Sequence, residues 1–195
     1  MSAIEILEPA ALTSPELEYA LVLPTYNEAS RREDVFRNTI ETYRSGLSDY
    51  FGNDKDWALV IGDDGSEDHT LDIVREYDLP VIEHADRRNH GRGAILKLAF
   101  PLLAAHARIV AYTDADGSYS LESILAQKQS IEEGADIAVA KRPESLKQHE
   151  DILRLVGHTA LTRLCEIIAP TGVSDPQAGL QTFSQESAAA LWQYG

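Results

Sequence analysis

Cysteine is almost absent from this sequence of 195 residues, which contains only Cys165. One thiol cannot form an internal disulfide bond, and it provides none of the paired cysteine and histidine spacings of a zinc site. The sequence therefore predicts a protein of a reducing compartment. Because a free cysteine usually behaves as a small hydrophobic residue, Cys165 is expected to pack in a core.

Positive charge is also scarce, since 17 lysines and arginines stand against 32 aspartates and glutamates, for a net charge of -15. A protein that binds nucleic acid needs a basic surface, so this balance argues against nucleic acid as a partner. Lysine is rarer than arginine, at 5 against 12. An acidic, lysine-poor surface would suit a protein adapted to high salt.

Long hydrophobic runs are missing, and none approaches the roughly 18 residues that a membrane-spanning helix needs. The N-terminal residues MSAIE contain no basic segment followed by an apolar one, so no secretory signal is predicted. Any membrane association is therefore expected to be peripheral, or to lie beyond Gly195. We expect a cytoplasmic protein at the cytoplasmic face of a membrane.

Short apolar segments alternate with helical patterns between residues 19 and 140. This alternation predicts an α/β fold with a mostly parallel sheet and helices on both faces. Residues 1–18 are interpreted as a lead-in and residues 19–195 as one domain. Pro101 predicts a kink or a break in its helix. The predicted strands are 19–23, 57–61, 80–83, 108–113 and 136–140, and the predicted helices are 34–50, 66–77, 91–107 and 121–133.

Two aspartates, Asp114 and Asp116, directly follow the predicted strand 108–113. Alternation along a strand would point both side chains to the same side, at an exposed end before a Gly-Ser turn. Carboxylates this close raise each other's pKa or bind a cation, and hard divalent metals prefer such oxygen ligands. The sequence therefore predicts a site for Mg or Mn.

Other distinctive residues follow neighbouring strands: the segment 24–28 follows the first strand and the segment 63–66 follows the second. Ligands of such sheets bind at the carboxyl ends of the strands. A nucleoside diphosphate with a metal fits this edge, because Tyr26 can stack on a base, Asp64 can accept from a base N–H, and Glu28 can reach the ribose or base. The metal would stabilise the departing diphosphate.

A basic cluster interrupts the acidic sequence at Arg87, Arg88, His90 and Arg92, where Gly91 and Gly93 open a helix. Charge and position at a helix N-terminus predict an anion site. A solvated loop is the alternative interpretation. Lys141-Arg142 forms a second basic pair at the same predicted edge.

Four motifs occur in a characteristic order: LPTYNE at 23–28, DDGSEDHT at 63–70, NHGRGAILKLAF at 89–100 and DADGSY at 114–119. Together they resemble the signature of family 2 glycosyltransferases with the GT-A fold, which is Rossmann-like. With VSDPQAGLQTFS at 173–184, the chain is similar to polyprenyl-phosphate hexosyltransferases, above all dolichyl-phosphate glucosyltransferases and their mannosyl relatives. The resemblance implies metal-dependent transfer of a hexose from a nucleotide-diphosphate sugar, UDP-glucose before GDP-mannose, to a polyprenyl phosphate.

The same resemblance implies roles for individual residues. The residues that would contact the nucleoside are Pro24, Tyr26, Glu28, Gly62 and Asp64. The metal would be bound by Asp114 and Asp116, and the diphosphate by these aspartates together with Ala115. The donor sugar or the acceptor phosphate would be contacted by Asp175 and Gln177. Arg92 matches a basic residue between two glycines, and Arg142 matches the arginine of a Gly-Ser-Arg motif. The catalytic group would comprise Asp116, Arg142, Asp175 and Gln177.

Some positions depart from the family pattern. The glucosyl branch usually has Gln-Cys-Gly-Phe-Lys where this sequence has residues 177–181 as QAGLQ, and Ala140-Lys141-Arg142 replaces Gly-Ser-Arg. These departures leave the donor and acceptor preference open. The family also continues beyond this point, sometimes with membrane helices, so the resemblance predicts further residues after Gly195.

Some features of the sequence bear on alternative interpretations. An EF-hand loop is excluded because Tyr119 replaces its glycine and Leu125 its bidentate glutamate. An Asp-x-Asp phosphatase would carry its motif near the start of the domain. A non-catalytic nucleotide-sugar binding module, and a transferase with a saccharide hydroxyl as acceptor, remain open. The amphipathic helix predicted at 152–168 would pack in the core or lie on a membrane surface.

Overall fold

The computed structural model describes residues 5–7, 17–140 and 178–191. Its strands are β1 (Glu5–Leu7), β2 (Leu17–Thr25), β3 (Trp57–Asp63), β4 (Val81–Glu83), β5 (Ala107–Thr113), β6 (Ile137–Val139) and β7 (Leu180–Ser184). Within the described ranges they form one seven-stranded sheet in the order β1-β4-β3-β2-β5-β7-β6. The central pairs β4–β3, β3–β2 and β2–β5 are parallel, whereas β1 and β7 run antiparallel to their neighbours. The predicted mostly parallel α/β sheet is confirmed.

Helices cover both faces of this sheet, as the sequence predicted. They are α1 (Glu28–Phe51), α2 (Thr70–Glu76), α3 (Arg92–Ala104), α4 (Leu121–Glu132) and α5 (Gln185–Leu191). Alternate residues of β2 divide between two hydrophobic cores. Leu21 packs in the core that contains Phe36 of α1, and Val22 packs in the core that contains Phe100 of α3. In the part of the chain described, no helix is long and apolar enough to cross a membrane.

The helix boundaries differ from those predicted. Helix α1 begins at Glu28, and Arg32 interrupts its first turns with non-helical backbone angles. Helix α2 begins only at Thr70, and Ser66, the predicted first residue, bonds back to the end of β3. Ser66 Oγ donates to Asp63 Oδ1 at 2.5 Å. The prediction of a helix from residue 66 was therefore wrong by about one turn.

Pro101 does not break its helix, because α3 continues to Ala104. A proline three residues from the end removes one backbone hydrogen bond in the last turns, which a helix tolerates better than a central loss. Three elements, β1, β7 and α5, were not predicted. Strand β1 has only three residues and pairs at the sheet margin, so it is too short for a period to be recognised.

Candidate active site

A cleft of about 330 Å³ opens at the carboxyl ends of β2, β3 and β5. The parallel register pairs Thr25 with Asp63, which places the segments after β2 and β3 side by side. The structure thus brings most of the predicted site residues into one cavity. The cleft is lined by Pro24, Thr25, Tyr26, Glu28, Arg31, Asp64, Asn89, Gly91, Arg92, Ile95, Asp114, Ala115 and Asp116.

Asn27 joins the loops that follow β2 and β3 in the lining of this cleft. Its side-chain oxygen accepts the backbone N–H of Glu67 at 2.8 Å, and its own N–H donates to Ser66 Oγ at 3.0 Å. Asn27 has a φ of 52°, in the left-handed region that asparagine tolerates better than most residues. These bonds fix the position of Tyr26, which is half-buried at the cleft wall.

Asp63 shapes the turn after β3. Its Oδ2 accepts the backbone N–H groups of Gly65 at 3.1 Å and Ser66 at 2.8 Å, and its Oδ1 accepts from the hydroxyl of Thr25 at 3.2 Å. Gly65 has a φ of +80°, and a Cβ there would lie 2.6 Å from the backbone of Arg88. The turn therefore requires a glycine at position 65. Both carboxylate oxygens of Asp63 accept hydrogen bonds that stabilise this turn.

Asp64 lies in the wall of the cleft with a side chain only 4% exposed. Its Oδ1 accepts the backbone N–H of His90 at 2.9 Å, and its Oδ2 accepts that of Gly91 at 2.7 Å. The carboxylate therefore holds the segment that leads into α3. Each carboxylate oxygen has a further lone pair that could accept from a ligand.

Arg92 and Asp114 form a salt bridge in the lining of the cleft. An Nη of Arg92 donates to Asp114 Oδ1 at 2.7 Å, and the two side chains are 45% and 36% exposed. Arg92 also lies at the N-terminus of α3, where backbone N–H groups and the helix dipole favour anions. The predicted anion-binding arginine and the predicted metal-binding aspartate thus share one wall.

Two further acidic residues, Glu28 and Asp116, line the cleft together with Asp114. Asp116 is exposed and accepts the N–H of Ser118 at 3.0 Å. Burial raises the pKa of Glu28, and the negative charge of Asp116 adds to this effect, while Arg31 opposes it. Arg31 lies 3.5 Å from the Glu28 carboxylate. The local excess of negative charge favours a bound cation.

The donor set fits a divalent metal that arrives with a diphosphate. Among the residues described, no third histidine, cysteine, aspartate or glutamate completes a ligand group with the two aspartates. Mg²⁺ is commonly held by one or two carboxylates together with substrate phosphates and water. Asp114 and Asp116, which line the same cleft, match that arrangement.

Other predicted residues lie away from the cavity or outside the described residues. Gly62 is buried beneath the cleft, where an added Cβ would lie 3.2 Å from Ile95. Arg87 of the basic cluster lies 3.0 Å from the buried carboxylate of Glu83. The positions outside the described residues are Lys141, Arg142, Cys165, Asp175, Gln177 and the segment 152–168.

Four residues line the cleft that the sequence analysis did not select, namely Thr25, Arg31, Asn89 and Ile95. Asn89 opens the NHGRG motif, so its position beside the basic cluster could have indicated it. No sequence motif indicated that Arg31 would line the cleft. Arg31 lies in the first turn of α1, and the sequence pattern predicted a helix only from residue 34.

The chain matches one known protein family over most of its length. The profile described as Glycosyl transferase family 2 matches residues 20–172. The chain belongs to this family. The resemblance of the four ordered motifs to family 2 glycosyltransferases is therefore confirmed.

Two curated relatives of this family 2 chain extend beyond it. Glycosyltransferase AglD of Haloferax volcanii is 31% identical over 191 residues, which cover 94% of this chain and 29% of AglD. Dolichyl-phosphate beta-glucosyltransferase ALG5D of Trichomonas vaginalis is 25% identical over 196 residues, which cover 91% of this chain and 57% of that protein. The chain thus spans less than two thirds of the length of either relative.

A solved structure with the same fold is the glucosyl-3-phosphoglycerate synthase of Mycobacterium tuberculosis in complex with Mn²⁺, UDP and glucosyl-3-phosphoglycerate. It superimposes with a TM-score of 0.58 at 19% identity, and the match covers 91% of this chain and 59% of that one. At this identity the likeness shows the fold alone. The expected GT-A fold is confirmed.

Proposed function

We propose that this family 2 chain transfers a hexose from a nucleotide-diphosphate sugar to a polyprenyl phosphate. UDP-glucose is the favoured donor, and GDP-mannose is next. The observation that carries the proposal is the cleft itself. It combines an aromatic ring for a base, an arginine at a helix N-terminus for phosphates and a pair of aspartates for a metal.

The donor would lie along the cleft with its base beside Tyr26. An aromatic ring offers a stacking surface to any base, while the wall at Asp64 offers an acceptor. The diphosphate would extend toward Gly91 and Arg92, since the N-terminus of α3 opens there. This order places the sugar beyond the aspartates, near the exposed mouth.

Charge on the leaving diphosphate is the main chemical problem of the transfer. A divalent metal held by Asp114 and Asp116 would neutralise part of that charge. Arg92 can turn from Asp114 toward the same phosphates, because its side chain is nearly half exposed. These groups would be aligned before the reaction, so little reorganisation is needed as charge develops.

A phosphate acceptor simplifies proton transfer. An acceptor oxygen of the lipid phosphate attacks the anomeric carbon, a new C–O bond forms, and the bond from that carbon to the nucleoside diphosphate breaks. A second phosphate pKa of about 6 leaves the acceptor largely dianionic at neutral pH, so no general base is needed. Arg142, which lies outside the described residues, is proposed to position this phosphate. The names of curated relatives such as dolichyl-phosphate beta-glucosyltransferase support this class of acceptor.

Transfer itself is the test. The chain is incubated with radiolabelled UDP-glucose, MnCl₂ and a polyprenyl phosphate, and label in the lipid fraction is measured. We expect lipid labelling that requires the phosphate, so the matching polyprenol should stay unlabelled. Asp116→Ala and excess chelator should each abolish the signal.

Two outcomes would contradict the proposal. Equal labelling of a saccharide acceptor would favour a hydroxyl acceptor. If the protein binds the donor but neither transfers the sugar nor slowly hydrolyses the donor, a non-catalytic nucleotide-sugar module would be favoured.

The donor preference has a separate test by thermal shift. A ligand that binds only the folded state at 100 times its Kd adds about 2.7 kcal/mol of stability. We expect UDP-glucose with Mn²⁺ to raise the Tm more than GDP-mannose with Mn²⁺. The opposite ranking would assign a guanosine donor while leaving the transferase proposal intact.

A further inference from the structure

Gly179 lies behind Asp114, immediately before β7. A Cβ built on Gly179 would collide with the Oδ2 atom of Asp114, and it would lie 2.7 Å from the carboxyl carbon. Gly179 is not among the glycines with positive φ. The position therefore requires glycine for space, and the backbone conformation would accept other residues.

Backbone bonds prevent the two residues from separating. The N–H of Asp114 donates to the carbonyl oxygen of Gly179 at 3.0 Å. Next to this bond, Thr113, which precedes Asp114, pairs with Leu180, which follows Gly179, in the antiparallel register of β5 and β7. A side chain at position 179 could not be accommodated by moving the chain without breaking this pairing.

The ring of Tyr119 also packs close to Gly179. The same Cβ would lie 3.2 Å from the ring of Tyr119. The Tyr119 hydroxyl accepts the N–H of Gly179 at 3.2 Å, and Tyr43 donates to the carbonyl oxygen of Tyr119 at 2.7 Å. Because Tyr119 is only 4% exposed, the added atom would have no free space on that side and would displace the carboxylate instead.

We propose that Gly179 is a positioning residue for Asp114, which sets where the carboxylate meets the metal and diphosphate. This inference rests on the proposed function, since it assumes that Asp114 binds a metal with the nucleotide. Gly179 is not among the residues that line the cleft. It acts by leaving empty the volume into which one oxygen of Asp114 extends.

Calorimetry with Mn²⁺ and UDP tests the proposal on wild type, Gly179→Ala, Asp114→Ala and the double variant. Supporting groups behind a metal ligand are commonly worth about 10–100-fold in affinity, so we expect Gly179→Ala to weaken Mn²⁺-dependent UDP binding by at least ~10-fold. Uridine binding without metal should be unchanged. The loss should disappear in the Asp114→Ala background, because residues that act through one contact are not additive.

Two further measurements separate positioning from general damage. The electron paramagnetic resonance spectrum of bound Mn²⁺ should differ between wild type and Gly179→Ala, since a ligand oxygen moves. Gly46→Ala is a matched control, because its added Cβ would strike the side chain of Leu121, outside the cleft. It should lower the Tm and leave Mn²⁺–UDP affinity unchanged.

The outcomes are distinguishable. Wild-type Mn²⁺–UDP affinity in Gly179→Ala, or an equal loss of uridine binding, would overturn the positioning role. An Asp114→Ala variant that binds Mn²⁺–UDP normally would overturn the proposed metal site itself. If Gly179→Ala does not fold and the double variant does, the collision with Asp114 is supported; if neither folds, Gly179 serves the fold and the proposal fails.

Discussion

Aspartates at the carboxyl ends of the strands have different tasks, although they are the same residue type. Asp63 accepts from the N–H groups of its own turn. Asp64, its neighbour, accepts from a different loop. Asp114 accepts from the side chain of Arg92. At this scale, the partners that surround a carboxylate decide whether it shapes the backbone or remains available to a ligand.

Tyr26 is expected to stack on the base of a bound nucleotide. Because stacking acts on the base and not on the phosphates, Tyr26→Ala should weaken UDP binding by about 1–3 kcal/mol and leave pyrophosphate binding unchanged. Tyr26→Phe keeps the ring and should retain most of the UDP affinity. Calorimetry with both ligands decides the matter, and equal losses for UDP and pyrophosphate would mean that Tyr26 is structural.

Asp64 gives a second prediction of this kind. In Asp64→Asn, one oxygen becomes an NH₂ group that faces the backbone N–H of His90 or Gly91, so one buried donor loses its partner. We expect a loss of about 1–3 kcal/mol in the free energy of unfolding. Urea denaturation measures it, with Asp49→Asn, at an exposed position on α1, as a control. A variant as stable as wild type would show that the loop does not depend on this carboxylate.

The N-terminal ends of helices α1 and α2 are joined to each other by hydrogen bonds. The start of α1 is tied to the start of α2, because the Ser30 N–H donates to Asp68 Oδ2 at 2.7 Å and the Ala29 N–H donates to Thr70 Oγ1 at 3.1 Å. Asp68 Oδ1 also accepts the N–H of Thr70 at 2.9 Å. One carboxylate therefore joins the N-termini of two helices near the loops that follow β2 and β3.

This junction predicts a pH dependence. Burial alone would raise the pKa of Asp68, but hydrogen bonds from Thr70 and Ser30 outweigh burial and lower the pKa to about 2. The charged carboxylate thus stabilises the fold above its unfolded pKa of about 4, and the contribution is lost as the pH falls toward 2. Asp68→Asn should be less stable than wild type at pH 7, and the difference should shrink between about pH 4 and pH 2. Urea titrations at several pH values test this, and a difference that stays constant would contradict it.

The whole molecule combines two hydrophobic cores with a strongly acidic charge balance. The cores lie on opposite faces of the sheet, so each helix layer is fixed independently of the other. The net charge of -15 opposes compaction through self-repulsion. Exposed ion pairs such as Arg75–Asp72 offset little of this, because each is worth only about 0–1 kcal/mol.

Salt should therefore stabilise the protein. Raising NaCl from about 0.01 M to about 1 M shortens the screening length from about 30 Å to about 3 Å, which weakens the repulsion among acidic groups. We expect the Tm to rise over this range in a thermal melt. Sucrose at equal osmolality is the control, since it acts by exclusion from the surface and not by screening. A Tm that falls with NaCl would mean that favourable ion pairs outweigh the repulsion.

The architecture and the sheet edge that carries the candidate site follow from the sequence pattern. Short apolar segments that alternate with helical ones bury both faces of a parallel sheet, and parallel strands bring their carboxyl ends together. The motifs around Tyr26, Asp64 and Asp114 therefore converge, as their positions after successive strands predicted.

The contacts of individual side chains do not follow from the sequence pattern. Strand β7 lies between β5 and β6 and places Gly179 behind Asp114. The hydrogen-bond partners of Asp64 are His90 and Gly91, which come 26 and 27 positions later in the sequence. A local pattern records the period of one segment, whereas these contacts depend on how distant segments pack. The sequence therefore indicated which residues would gather at the site, and the packing of the sheet decided which of them hold the others in place.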